Sequence, residues 1–133
     1  MALRTYTGSC HCGAVRFEAE VDLEAGTSRC NCSICFKGRF WKAVIPASGL
    51  HVLQGEAELA SYRFSSHSVC HLFCRRCGIK PFGRVRLQAG DFVAVNVACL
   101  DDVDDAVLAA LPVQFEDGRH EHWDRAPDVT THL

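Results

Sequence analysis

Along residues 14–20 the side chains alternate: Val15, Phe17 and Ala19 fall on one face, and Arg16, Glu18 and Glu20 on the other. A period of two belongs to a strand with one face buried. Strand-like runs follow at 40–45, 50–53, 57–64, 69–74, 82–87 and 92–97, rich in Val, Phe, Leu and Ile. Turn-forming residues separate them at 46–49, 55, 65–66, 78–81 and 90–91. One stretch has a longer period. Val103, Val107, Ala110 and Leu111 form an apolar stripe after an acidic start, which predicts a single short helix capped by Asp101 or Asp102 and ended by Pro112. Asp117-Gly118 reads as a turn, and the tail from Arg125 is expected to be weakly ordered, with Trp123 packed. The class is mainly β, with short antiparallel strands in several small sheets and one domain over residues 1–133.

Composition narrows the chemistry. No apolar run approaches the roughly 18 residues that a membrane span needs. The opening MALRTYTGSCHCG has no hydrophobic stretch to act as a signal peptide, so a cytoplasmic setting is expected. A formal net charge of −2 gives no general attraction to nucleic acid or to an anionic membrane. Nine cysteines are the dominant feature, and an odd number without an export signal argues for thiols over disulfides. Cys10 and Cys12, or Cys30 and Cys32, are also too close in sequence for an unstrained bridge.

Seven of the nine fall into three clusters: Cys10-His11-Cys12-Gly13, Cys30-Asn31-Cys32-Ser33-Ile34-Cys35 and Cys74-Arg75-Arg76-Cys77-Gly78. Soft thiolates in a tetrahedral arrangement favour zinc, and the usual iron–sulfur spacings are missing. Four thiolates close one site. Three leave a second ion with an open position, which is the arrangement that meets substrates. Spacing alone does not assign cysteines to sites, but Cys30, Cys32 and Cys35 form the natural open trio, leaving the two pairs to combine. Cys99 and Cys70 read as small buried apolar residues, with Cys70 the alternative fourth ligand that would close the second site.

The segments GSCHCGAVRFE (8–18), CNCSIC (30–35), HLFCRRCGIKPF (71–82) and VNVACLDDVDD (95–105) resemble the glutathione-dependent formaldehyde-activating enzyme family, which includes centromere protein V. The resemblance implies a β-tent with two zinc ions. Cys10, Cys12, Cys74 and Cys77 would hold a structural zinc, and Cys30, Cys32 and Cys35 a catalytic one. It also implies a carbon–sulfur lyase joining formaldehyde to glutathione as S-hydroxymethylglutathione, so the expected partners are a small thiol and a small aldehyde. The loop Ile79-Lys80-Pro81-Phe82 departs from the family pattern beside the metal region.

An open site of this kind activates a thiol. A free thiol with a pKa of about 8.5 is only about 3% ionised at about pH 7, so complete ionisation gains roughly thirtyfold. By residue type, His51, His67 and His71 are candidate proton donors. Arg75, Arg76, Lys80, Arg84 and Arg86 read first as compensation for the charge of the four-thiolate site and second as a grip for carboxylates. Phe36, Phe40, Trp41 and Phe82 are core aromatics or pocket lining. Two other readings compete with an enzyme: a binding module with both zincs structural, and a thiol redox sensor built on Cys30, Cys32 and Cys35.

Overall fold

The computed structural model describes residues 2–133. The strands are β1 (Arg4–Ser9), β2 (Arg16–Val21), β3 (Thr27–Cys30), β4 (Trp41–Pro46), β5 (Leu50–Gln54), β6 (Leu59–Tyr62), β7 (Val69–Cys74), β8 (Phe82–Leu87), β9 (Gly90–Asn96) and β10 (Val113–Glu116). Two short helices interrupt them, α1 (Ser33–Gly38) and α2 (Asp105–Ala110). The strands form a three-stranded sheet, β1-β2-β5, and a seven-stranded sheet, β10-β3-β4-β9-β8-β7-β6. Every pairing is antiparallel except β3 with β10, which run parallel.

The alternation on β2 does what its period demands. Phe17, Ala19 and Val21 are buried against Ala43 and Ile45 of β4, Val93 and Val95 of β9, and Phe82 of β8. The Phe17 and Phe82 rings meet edge to face at 5.3 Å, so the core lies between the two sheets. Gly8, opposite Phe17 in the β1–β2 register, leaves room for that ring.

Strands at 69–74 and 82–87 form as the pattern predicts. The run at 57–64 is cut short: 56–58 is a 3-10 turn and only Leu59–Tyr62 pairs, along the sheet edge. The helix starts later than expected, with Asp104 at its N-cap. Asp101 and Asp102 are occupied elsewhere, accepting hydrogen bonds from Ser9 Oγ (2.6 Å) and the Thr7 amide (3.2 Å). They tie β1 to the segment entering α2. Its packed face is Val103, Leu108 and Leu111, whereas Val107 is 48% exposed.

Candidate metal centres

Two turns of similar build carry the first cluster. After β1, the Cys10 amide donates to Val15 O (3.1 Å) and the Gly13 amide to Cys10 O (3.2 Å). After β7, the Cys74 amide donates to Ile79 O (2.9 Å) and the Gly78 amide to Cys74 O (2.7 Å). Gly13 and Gly78 both sit at φ 81°, a left-handed conformation that residues with a Cβ resist. The turns belong to different sheets and face each other. The sulfurs of Cys10, Cys12, Cys74 and Cys77 consequently lie within 4.8 Å of one another.

That geometry fits zinc. A Zn–S bond of about 2.3 Å gives a tetrahedron with an edge of about 3.8 Å; Cys10 to Cys12 and Cys12 to Cys74 are both 3.7 Å. Amides of Val15 (3.3 Å) and Arg76 (3.4 Å) point at the sulfurs of Cys10 and Cys74 and spread negative charge. Ile79 and Cys12 amides hold Cys77 down to about 6. The Ala14 amide acts the same way on Cys12, but lost hydration and bonds to Cys10, Cys74 and Cys77 push it up to about 11. Thiols packed this closely share protons until a cation replaces them. The four cysteines are placed to hold a metal ion that would clamp one sheet to the other.

The second cluster forms where β3 becomes α1. Cys30 ends the strand, Cys32 is the N-cap, and Cys35 lies in the first helical turn. The chain direction changes within six residues, so the three sulfurs meet, again within 4.8 Å of one another. Cys32 is held down to about 2 by hydrogen bonds from Cys30 and Cys35, while bonds to Cys30 and Cys32 and lost hydration push Cys35 upward. Three sulfurs gathered this closely, with Cys32 held ionised, are likewise suited to a cation. Among the described residues no fourth Cys, His, Asp or Glu joins them. Cys30, Cys35, Phe36, Phe40, Arg29 and Arg39 line a small cleft beside this cluster.

Residues 5–115 match the sequence family described as glutathione-dependent formaldehyde-activating enzyme. The chain belongs to that family. A crystal structure of a Rhodobacter sphaeroides protein is similar at 34% identity with a TM-score of 0.69, covering 81% of this chain and 99% of the other. No helix of the described residues is long and apolar enough to cross a membrane.

The glutathione-dependent formaldehyde-activating match ends before a segment that packs on the second cluster. A Cβ at Gly118 would lie 2.5 Å from Cys30 Sγ and 2.6 Å from the Trp123 ring. Parallel pairing of β10 with β3 delivers this glycine to the sulfur. Asn31, buried between two of the cysteines, donates to Asp117 Oδ1 (2.8 Å) and accepts from the Arg119 amide (2.9 Å). Asp117 is held below the usual carboxylate range by Asn31 first and His120 second. The tail expected to be loose has no regular structure but is tied down: Arg39 donates to His132 O, and the His132 and Phe36 rings lie 5.5 Å apart. Leu133 reaches the same cleft. Trp123, expected to pack, touches Gly118 but stays 56% exposed. The sequence marked Asp117-Gly118 as a turn but did not signal its contact with the cysteines, because that contact is set by one strand pairing.

Other expectations are redistributed. Cys99 is buried in the core, and Cys70 is buried apart from both clusters. The basic group does not act together. Arg75 and Arg76 reach Glu58 at 3.6 and 3.0 Å, Arg86 reaches Asp91 at 3.2 Å, and Arg84 lies over Phe82. Arg76 is held charged first by Glu58 and then by Cys12 and Cys74 of the four-sulfur cluster. Lys80 is brought down to about 8 first by burial and senses the charges of Cys35 and Cys32 in the other cluster. His51 pairs with Glu20 on the three-stranded sheet, and His67 lies in the loop before β7 with its carbonyl accepting from Arg63. Phe36 and Phe40 line the cleft; Phe82 is core, and Trp41 donates to Thr27 Oγ1 at 2.7 Å.

Proposed function

We propose that this chain, acting as one domain, is a zinc-dependent carbon–sulfur lyase on a thiol–aldehyde adduct, with glutathione and formaldehyde as the substrate pair. The observation that carries this reading is the unequal sulfur count: a cluster of four and a cluster of three beside a cleft. In this assignment Cys10, Cys12, Cys74 and Cys77 hold a structural zinc, and Cys30, Cys32 and Cys35 hold the catalytic one. Zinc at the trio supplies a Lewis-acid position that keeps an incoming thiol ionised. The residues of the chain do the rest. The turn from β3 into α1 sets the three sulfurs on one side, and the Cys32 amide bonds Cys30 Sγ at 3.3 Å. Phe36 and Phe40 supply apolar walls, and Arg29 and Arg39 supply positive charge suited to the carboxylates of a small peptide thiol. Holding thiolate and aldehyde together supplies the orientation gain, which reaches about 7–11 kcal/mol at best.

The test is metal content together with turnover. Two zinc ions per chain are expected, with glutathione and formaldehyde converted to S-hydroxymethylglutathione faster than in buffer. Cys32→Ala should remove one ion and abolish turnover while the fold persists. A protein that stays fully active after losing that ion contradicts the proposal.

A further inference from the structure

Lys80 stands in the loop between the Cys74–Gly78 turn and β8. Its backbone is fixed: Asn96 Nδ2 donates to Lys80 O at 2.9 Å, and the Asn96 amide to Pro81 O at 2.9 Å. Its side chain turns inward past Gly83, where a Cβ would lie 3.4 Å from Cε and 3.6 Å from Nζ. The ammonium ends 4.0 Å from the centre of the Phe40 ring and 2.6 Å from His71 Nδ1. Phe40 lines the cleft with Cys30 and Cys35, and its amide donates to Cys35 O at 3.1 Å. Lys80 pairs with no carboxylate among the described residues.

We propose that Lys80 is the proton donor of the trio site, giving its proton to the aldehyde oxygen as the carbon–sulfur bond forms. This rests on the lyase reading above. The thiol releases its proton to solvent, and a sulfur electron pair forms the bond to the aldehyde carbon. The C=O π pair moves to oxygen, which takes a proton from Nζ, and water restores the ammonium. No oxidation state changes. In the reverse direction the neutral amine removes the hydroxyl proton.

The neighbours suit this role. A lysine ammonium has three donors, of which His71 takes one. His71 is itself excluded as donor through Nδ1, which accepts, and burial and then the Lys80 charge hold it down to about 4. It is a positioning residue, stacked on Phe64 at 5.6 Å. Burial brings Lys80 down to about 8 against the opposing charges of Cys35 and Cys32, and an acid in that range transfers protons efficiently near neutrality. The titratable groups facing it are His71, Cys32, Cys35 and Lys42, and Glu116 neutralises the last at 2.6 Å.

The test uses the zinc-loaded full chain with glutathione and formaldehyde, comparing Lys80→Met and Lys80→Arg with wild type across pH. General acid catalysis contributes about 10²–10⁴-fold. Lys80→Met should therefore lose at least about a hundredfold in kcat, with little change in thiol KM and two zinc ions retained. The alkaline limb of the wild-type profile should vanish in that variant. Lys80→Arg keeps the charge but cannot give up a proton, so it should not restore the rate. Full rescue by Arg would show a purely electrostatic role and overturn the donor assignment, as would an active Lys80→Met protein. An inactive wild type fails the lyase reading itself, which separates the two failures. A second readout is independent of turnover. In the zinc-loaded protein the Nζ resonance of Lys80 should titrate below the surface lysines and shift when glutathione alone is added. A lysine titrating with the rest and indifferent to the thiol overturns the proposal.

Discussion

Gly118→Ala isolates the packing of the trio in one methyl group. Unstrained carbon contacts lie at about 3.5–4.0 Å. The new Cβ would sit 2.5 Å from Cys30 Sγ and 2.6 Å from two Trp123 ring carbons, about an ångström too close on both sides. The two sides differ in how far they yield. Trp123 is 56% exposed and swings outward, whereas Cys30 is 3% exposed and its sulfur accepts from the Cys32 amide. Overpacking of this kind costs about 1–3 kcal/mol. Because the rigid partner is a proposed ligand, most of that cost should appear as metal affinity, a loss of roughly 5- to 150-fold at the trio. The assay is competition for zinc by chelators of graded strength on the full chain, with the four-sulfur cluster as internal control. Adding Trp123→Ala should relieve the ring clash and leave the sulfur clash, so affinity recovers only in part. Unchanged binding at both sites, or equal weakening of both, would refute the placement of the second ion against Gly118.

Three further outcomes are expected. Removing all metal with a strong chelator should abolish cooperative unfolding, since structural zinc contributes about 10–16 kcal/mol where whole domains have about 5–15; a cooperative melt of the metal-free chain, followed by circular dichroism, would contradict the structural assignment. His71 has a folded pKa of about 4 against an ordinary 6.5, so between those values the unfolded chain takes up a proton that the folded one refuses. Stability should therefore rise with pH across that window and fall on acidification, and His71→Asn should flatten the urea midpoint measured against pH. Deleting residues 126–133 removes the His132 contacts to Phe36 and Arg39 and should speed chelator extraction of the trio's ion up to about tenfold, leaving the other ion unaffected; equal extraction rates would show that the tail does not cover the cleft.

What the sequence disclosed follows the range of the forces involved. The alternation at Val15, Phe17 and Ala19 and the runs at 69–74 and 82–87 were legible because a local period reports a buried face. The cysteine clusters were legible because ligands of one ion cluster in sequence, and the structure brings both sets together. By contrast β1 has few apolar positions, β3 is four residues long, and β10 depends on a parallel neighbour, so none carries a periodic signal. That loss propagates into the site. Without the β3–β10 pairing, nothing places Gly118, Asn31 and Asp117 around Cys30, and the tail reads as solvent-exposed.

Lys80 shows the same limit in its sharpest form. In sequence it is three residues from Cys77, so proximity assigns its charge to the four-sulfur cluster. In space its backbone is anchored to Asn96 and its side chain passes Gly83 to Phe40, on the side of the trio. A knuckle turn reverses the chain, and the residue after it can face away from the metal its neighbours bind. Charge beside a cysteine pair is thus weak guidance to which ion it serves; the strand that follows the turn decides. Here the segment leading into β8 turns the lysine toward the cluster of three, where its positive charge would offset negative charge on a zinc ion held by three thiolates, as proposed. In the proposed reaction a cation near the trio suits an oxygen that becomes negative only as the bond forms.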